Sequence, residues 1–160
     1  MSFQVENGSG LTDANSYTDV AYADSYFLDR NNTTWSALTT AQKEALLILG
    51  TDYIETTYYA SFKGVMLNNL QALQFPRVDA YGLKINYDRV KKAVCELALR
   101  ANDGDLNKDI DKQAIEETVD VITIKYSASS DPKTRYPLIA TLLTPLLSNG
   151  KSGVNVASYR

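Results

Sequence analysis

Gly150-Lys151-Ser152 spells the end of a phosphate-binding loop, in which backbone amides cradle a phosphate and the lysine reaches its oxygens. That pattern needs glycine five residues earlier, and position 145 is proline, so a polar turn is the better reading. Asp105, Asn107, Asp109 and Glu116 fall on the first, third, fifth and twelfth positions of a calcium loop. The sixth position, where glycine makes the sharp turn, is Ile110, and a strand-like pattern follows instead of a helix. A solvated acidic linker is expected there. Two carboxylate pairs, Asp19 with Asp24 and Asp52 with Glu55, have the residue types for general acid–base work, the second at i,i+3 on one helix face. With 19 acidic residues in 160, such pairs arise without catalysis. Cys95 lies in an apolar stripe, and the chain has no histidine to activate it, to join a triad or to ligate a metal. No catalytic, cofactor-binding or metal residue is assigned, and a non-enzymatic protein is expected.

Tyrosine is the unusual residue, eleven copies against four phenylalanines and one tryptophan. It combines contact area with a polar tip, which suits protein interfaces, and it also stacks on unpaired bases. A stacking groove needs lysine and arginine beside the rings, yet Lys plus Arg total 16 against 19 acids, a net charge of −3. The basic clusters are Arg89-Lys91-Lys92, on the solvent side of a helix, and the pair Lys133 and Arg135. On charge alone, subunit interfaces are the favoured use of the tyrosines.

The elements that must position these residues read as mainly helical. Thr18 or Asp19 caps a helix to about Arg30, and Thr39 with Gln42 forms a capping-box pattern before a helix over about 40–59. Gly50 interrupts that helix where another backbone packs close. Residues 60–87 carry no helical period beyond a short piece near Leu67–Leu73; Gln71, Pro76 and Arg77 are expected to fix this loop, Arg77 by pairing with a helix carboxylate. Val90, Ala93, Val94, Leu97, Ala98 and Ala101 form an unbroken apolar stripe, ended at Gly104 by a left-handed turn. Thr118–Tyr126 reads as a strand with no strong partner in sequence, so it pairs weakly within the chain, folds back on itself, or pairs with another subunit. Pro137 opens a last helix that Pro145 kinks or breaks. The expected fold is thus a small helical bundle over residues 1–148, with a short β arm at 117–135 and a flexible C-terminal tail at 149–160. No stretch approaches the ~18 apolar residues of a membrane span, and Met1–Glu6 has neither the basic start nor the apolar core of a secretion signal, so synthesis in the cytoplasm is expected.

Several segments taken in order carry a family resemblance: Ala14-Asn15-Ser16-Tyr17, Ala23-Asp24 with Tyr26-Phe27, Thr51-Asp52-Tyr53-Ile54, Phe62 with Gly64, and Gln71-Ala72-Leu73-Gln74-Phe75-Pro76-Arg77. Glu96-Leu97-Ala98-Leu99-Arg100, Tyr136-Pro137 and Leu142-Leu143-Thr144-Pro145-Leu146-Leu147 continue it. Together they resemble the tailed-phage head-to-tail adaptor, or connector, proteins, relatives of which often carry a DnaT-like single-stranded-DNA-binding label. Phe75 stands where those relatives usually have tryptophan. The resemblance implies a structural protein of the virion neck, a twelve-subunit ring of neighbouring copies beneath the portal protein. Such a ring continues the channel for double-stranded DNA passing without sequence preference and docks a tail or stopper protein. On that view Ile122, Ile124, Tyr126 and Tyr136 make subunit contacts, and Val154, Val156, Tyr159 and Arg160 reach the portal. The alternative from a different class is a single-stranded-DNA-binding module, which requires a basic, aromatic stripe on the folded surface and affinity that falls with salt.

Overall fold

A computed structural model describes residues 2–106, 114–116, 125–126 and 136–148. The described residues are mainly α-helical, as expected. Helix α1 (Val20–Leu28) starts at Asp19, whose Oδ1 accepts from the Tyr22 amide at 2.7 Å. A four-residue helix α2 (Thr33–Ser36) follows, capped by the Asn32 side chain and burying Trp35 against Phe27. Helix α3 (Thr40–Tyr58) begins with the expected reciprocal Thr39–Gln42 cap. Helix α4 (Asp88–Asp103) buries the sequence stripe, with Val90, Ala93, Val94, Leu97 and Ala98 inaccessible to solvent.

The core lies where α3 crosses α4. Leu47, Gly50, Thr51, Ile54 and Tyr58 recur at three- and four-residue steps and line the buried face of α3. At Gly50 an added Cβ would stand 2.8 Å from the Val94 carbonyl oxygen, so glycine lets the two backbones touch. Helix α5 (Pro137–Leu143) takes Pro137 in its first turn and packs on α4, and Pro145 falls in the 3-10 turn Thr144–Leu146 that ends it.

Three expectations are corrected. No helix forms at Leu67–Leu73; the segment turns, and its neighbours make a two-stranded antiparallel pair, β1 (Val65–Met66) with β2 (Arg77–Val78). Asn68 and Gln71 side chains bond to backbone there, offering the chain an alternative to a helical ladder. Leu83-Lys84-Ile85 extends this ribbon, with Val78 bridging Lys84 and the Ile85 amide donating to Arg77 O at 2.8 Å. Gly104 ends α4 in extended backbone (φ 161°), not in a left-handed turn. The acidic linker is not all loop: β3 (Ala114–Glu116) pairs antiparallel with β4 (Lys125–Tyr126), with an irregular register at Glu116. The end of the expected strand therefore finds its ladder partner in the same chain; Thr118–Ile124 lie outside the described residues.

Candidate nucleic-acid interface

The loop between α3 and α4 is held by a buried polar hub. Tyr17 and Phe75 are fully buried and meet edge to face at 6.3 Å between ring centroids. The Tyr17 hydroxyl donates to the Glu55 carboxylate and accepts from the Phe75 amide at 3.2 Å, while Glu55 Oε2 accepts from the Gln74 amide at 3.1 Å. Burial raises the pKa of Glu55 despite these donors, and burial followed by the Glu55 charge raises that of Tyr17. Glu55 is thereby hydrogen-bonded to the loop, and Asp52, largely exposed one helix turn away, reaches it only as a like charge that adds to the upward shift. Gln71 fixes the same loop as expected, its Nε2 donating to Leu73 O at 2.6 Å and Pro76 O at 3.1 Å. Arg77 differs from expectation. Its guanidinium makes no direct ion pair with a helix carboxylate among the described residues, though the charge of Glu55 in α3 attracts it. It donates instead to Lys63 O at 2.9 Å, Gly64 O at 2.6 Å and Gln74 Oε1 at 3.0 Å. An arginine presents five donors in a fixed fork, which suits several carbonyls converging from one turn.

That clamp sets the wall of an open groove of about 660 Å³ between the loop, the first turns of α4 and the end of α5. Lys63, Lys84, Arg89 and Lys92 line it, with Asp79 and Asp88 as its carboxylates. Arg77 holds the carbonyl of Lys63, and the Lys63 amide donates to Leu146 O at 2.9 Å, so its backbone is fixed from both sides. Lys84 Nζ donates to Gly8 O at 2.8 Å, and Lys92 pairs with Asp88 at 2.8 Å. Lys63 and Arg89 are exposed and form no ion pair among the described residues. Both carboxylates are engaged. Asp88 also accepts from the Tyr22 hydroxyl at 2.8 Å, and the Lys92 ammonium, ahead of Tyr22, keeps its pKa below the ordinary value. Asp79 Oδ1 accepts the Tyr81 and Leu83 amides, each at 2.9 Å, closing a turn that carries Tyr81 at its tip.

The tyrosines sort by place. Tyr17, Tyr53 and Tyr58 are core residues, whereas Tyr81 is 88% exposed. Between these extents, cations lie over half-buried rings beside α4: Lys91 over Tyr22 and Tyr87 at 5.6 and 5.5 Å, Arg30 over Tyr26 at 3.5 Å, and Arg100 over Tyr136 at 5.9 Å. Interleaved rings and cations thus exist in space, drawn from elements far apart in sequence. Among the other residues singled out, Asp19 caps α1, Asp24 accepts from Lys43 at 2.8 Å and Trp35 at 2.7 Å, and Cys95 is buried.

Tyr136 stands edge to face on Tyr53 at 5.4 Å and its hydroxyl donates to Leu106 O at 3.4 Å. Tyr126 lies in β4 opposite Ala114. Ile122, Ile124, Val154, Val156, Tyr159 and Arg160 lie outside the described residues, as do Gly150-Lys151-Ser152 and Asn107–Gln113 of the acidic linker. Among the described residues no three His, Cys, Asp or Glu side chains gather as metal ligands would, and no helix is long and apolar enough to cross a membrane.

A family model described as "Putative DnaT-like ssDNA binding protein" matches residues 1–160, the whole chain. No curated protein and no solved structure matches. The family match corrects the connector expectation: its description names a single-stranded-DNA binder, the alternative reading, and nothing in it describes a neck ring docked on a portal.

Proposed function

The chain belongs to this DnaT-like family, and from that premise we propose that it binds single-stranded DNA along the groove between the 60–87 loop, α4 and α5. The observation that carries the reading is the local charge: four cationic side chains against two internally engaged carboxylates, on a chain whose net charge is −3. A strand contacts such a groove through its phosphates, and counterion release supplies the affinity. Lys63 and Arg89 are free to meet phosphate directly. Lys84 and Lys92 add field from fixed positions, one on a carbonyl and one on Asp88.

Fluorescence anisotropy of a labelled oligothymidine across a salt series tests this. For a single strand the logarithm of affinity falls with the logarithm of salt by about 0.7 per phosphate neutralised. Two to four contacts therefore give a slope between about −1.4 and −2.8. The absence of binding at low salt would refute the proposal.

A further inference from the structure

We infer that Tyr81 is a base-stacking platform, and that it is the feature by which this groove prefers single strands over duplex. The inference rests on the single-strand reading of the groove. Tyr81 is the most exposed aromatic side chain described, at 88%, and its ring makes no aromatic or cation contact among the described residues. The fold does not use it. Yet its backbone is tightly held: the Asp79 carboxylate accepts the Tyr81 and Leu83 amides, the Asp79 amide donates to Leu83 O at 2.9 Å, and Gly82 donates to Asp79 O at 3.1 Å. Gly82 takes φ +75°, the left-handed conformation that closes this turn without a Cβ penalty. The turn thus presents an apolar ring on a fixed base, with little backbone entropy to lose on binding.

Its position gives the ring a ligand. The two ends of the turn, Asp79 and Lys84, line the groove, and Tyr81, which is not itself a lining residue, stands on the short turn between them, within a few residues of the cations that would hold phosphates. An unpaired base offers a free π-face to such a ring, whereas in duplex both faces of each base are covered by its neighbours. Leu83, 66% exposed on the same turn, adds apolar surface next to the ring. Stacking tolerates any base, so no sequence preference is expected from this residue.

The test measures wild type, Tyr81→Ala, Tyr81→Phe and the double variant Lys63→Ala/Arg89→Ala against three labelled ligands: an oligothymidine, an abasic strand of equal length, and a duplex. Tyr81→Ala should weaken oligothymidine binding about five- to 150-fold, the span measured for losing one stacked base. It should leave the salt slope and the abasic affinity unchanged, and Tyr81→Phe should bind as wild type does. Wild type itself should favour oligothymidine over the abasic strand by a similar factor, a comparison that needs no variant to fold. If wild type binds both strands with the expected salt slope but equally well, or Tyr81→Ala matches it, the stacking inference fails while the groove reading stands. If wild type binds neither strand, both fail. Self-association without DNA that is abolished by Tyr81→Ala would also overturn the inference, assigning the ring to a second copy of the chain.

Discussion

At the hub between α3 and the following loop, the side chains of Tyr17, Glu55, Gln71 and Arg77 spend their polar atoms on one another and on backbone; at the groove, those of Lys63, Arg89 and Tyr81 are exposed and find no partner among the described residues. Both places combine tyrosine with charge. In the first, the guanidinium donates from all three nitrogens to oxygens of the loop it organises. In the second, two cations stand on backbone that is fixed while their side chains are not. The difference teaches that residue type alone does not mark a binding surface here. What marks it is a charged or aromatic group that the fold positions without consuming. The regions are also coupled in one direction, because the Arg77 clamp that closes the hub holds the Lys63 carbonyl and so aims part of the groove.

The hub should fail first and hardest. Tyr17→Ala removes a fully buried ring that packs on Phe75 and Tyr87 and leaves Glu55 and the Phe75 amide without their hydroxyl partner. A loss of about 3–5 kcal/mol is expected from the packing alone, read as a lower urea midpoint. Tyr17→Phe keeps the ring and removes only the oxygen. Leaving these buried groups unsatisfied should cost about 1–3 kcal/mol. A loss as large as that of Tyr17→Ala would mean that the hydroxyl network, and not the ring, holds the loop.

The groove should respond in the opposite sense. Lys63→Ala with Arg89→Ala touches exposed side chains and leaves the Lys63 backbone bonds in place. Unfolding free energy should move by no more than about 0.5 kcal/mol per site, while the salt slope for oligothymidine becomes shallower by about 1.4. A clear loss of stability would show that these cations serve the fold, and the contrast between the regions would disappear.

How much of this was legible beforehand follows from the range of each signal. The caps at Asp19 and Thr39, the α4 stripe, the close approach at Gly50 and Pro137 in the first turn of α5 are local patterns that one element displays by itself. Helix α2 is four residues long, too short to show a period, and β1–β2 pairs two residues across a loop. The groove was illegible for a related reason. Positions 89 and 92 show in sequence as the cluster Arg89-Lys91-Lys92, read there as a solvated helix face, but 63 and 84 come from two separate parts of the loop, so no window of sequence brings all four together, and the overall acidity conceals them. The eleven tyrosines pointed to contact surfaces, but exposure, which separates Tyr81 from Tyr17, depends on the whole fold.

The smallest effect expected separates the two regions along the pH axis. Burial raises the folded-state pKa of Glu55 above its ordinary 4.5, so the folded chain holds that proton more tightly than the unfolded one. Stability should then fall as pH rises from 4.5 through the folded value and level off beyond it, with Asp52, largely exposed but partly desolvated, adding only slightly in the same direction. Asp88 has the opposite sign. The Lys92 ammonium lowers its pKa below 3.8, so its contribution is present above that value and is lost as pH falls through the folded one. Asp24 shares this lower window, because the Lys43 and Trp35 donors outweigh the upward pull of burial. Glu55→Gln should therefore flatten the decline above pH 4.5, and Asp88→Asn should flatten only part of the drop below 3.8. The second change should be slight, since the Asp88 side chain is 45% exposed and solvent screens its pair. Urea midpoints collected across pH for the three proteins check both signs. If Asp88→Asn shifted the acid limb more than Glu55→Gln shifts the upper one, the groove carboxylate would be a fold-bearing group, and the division between consumed and available charge would have to be redrawn at Asp88.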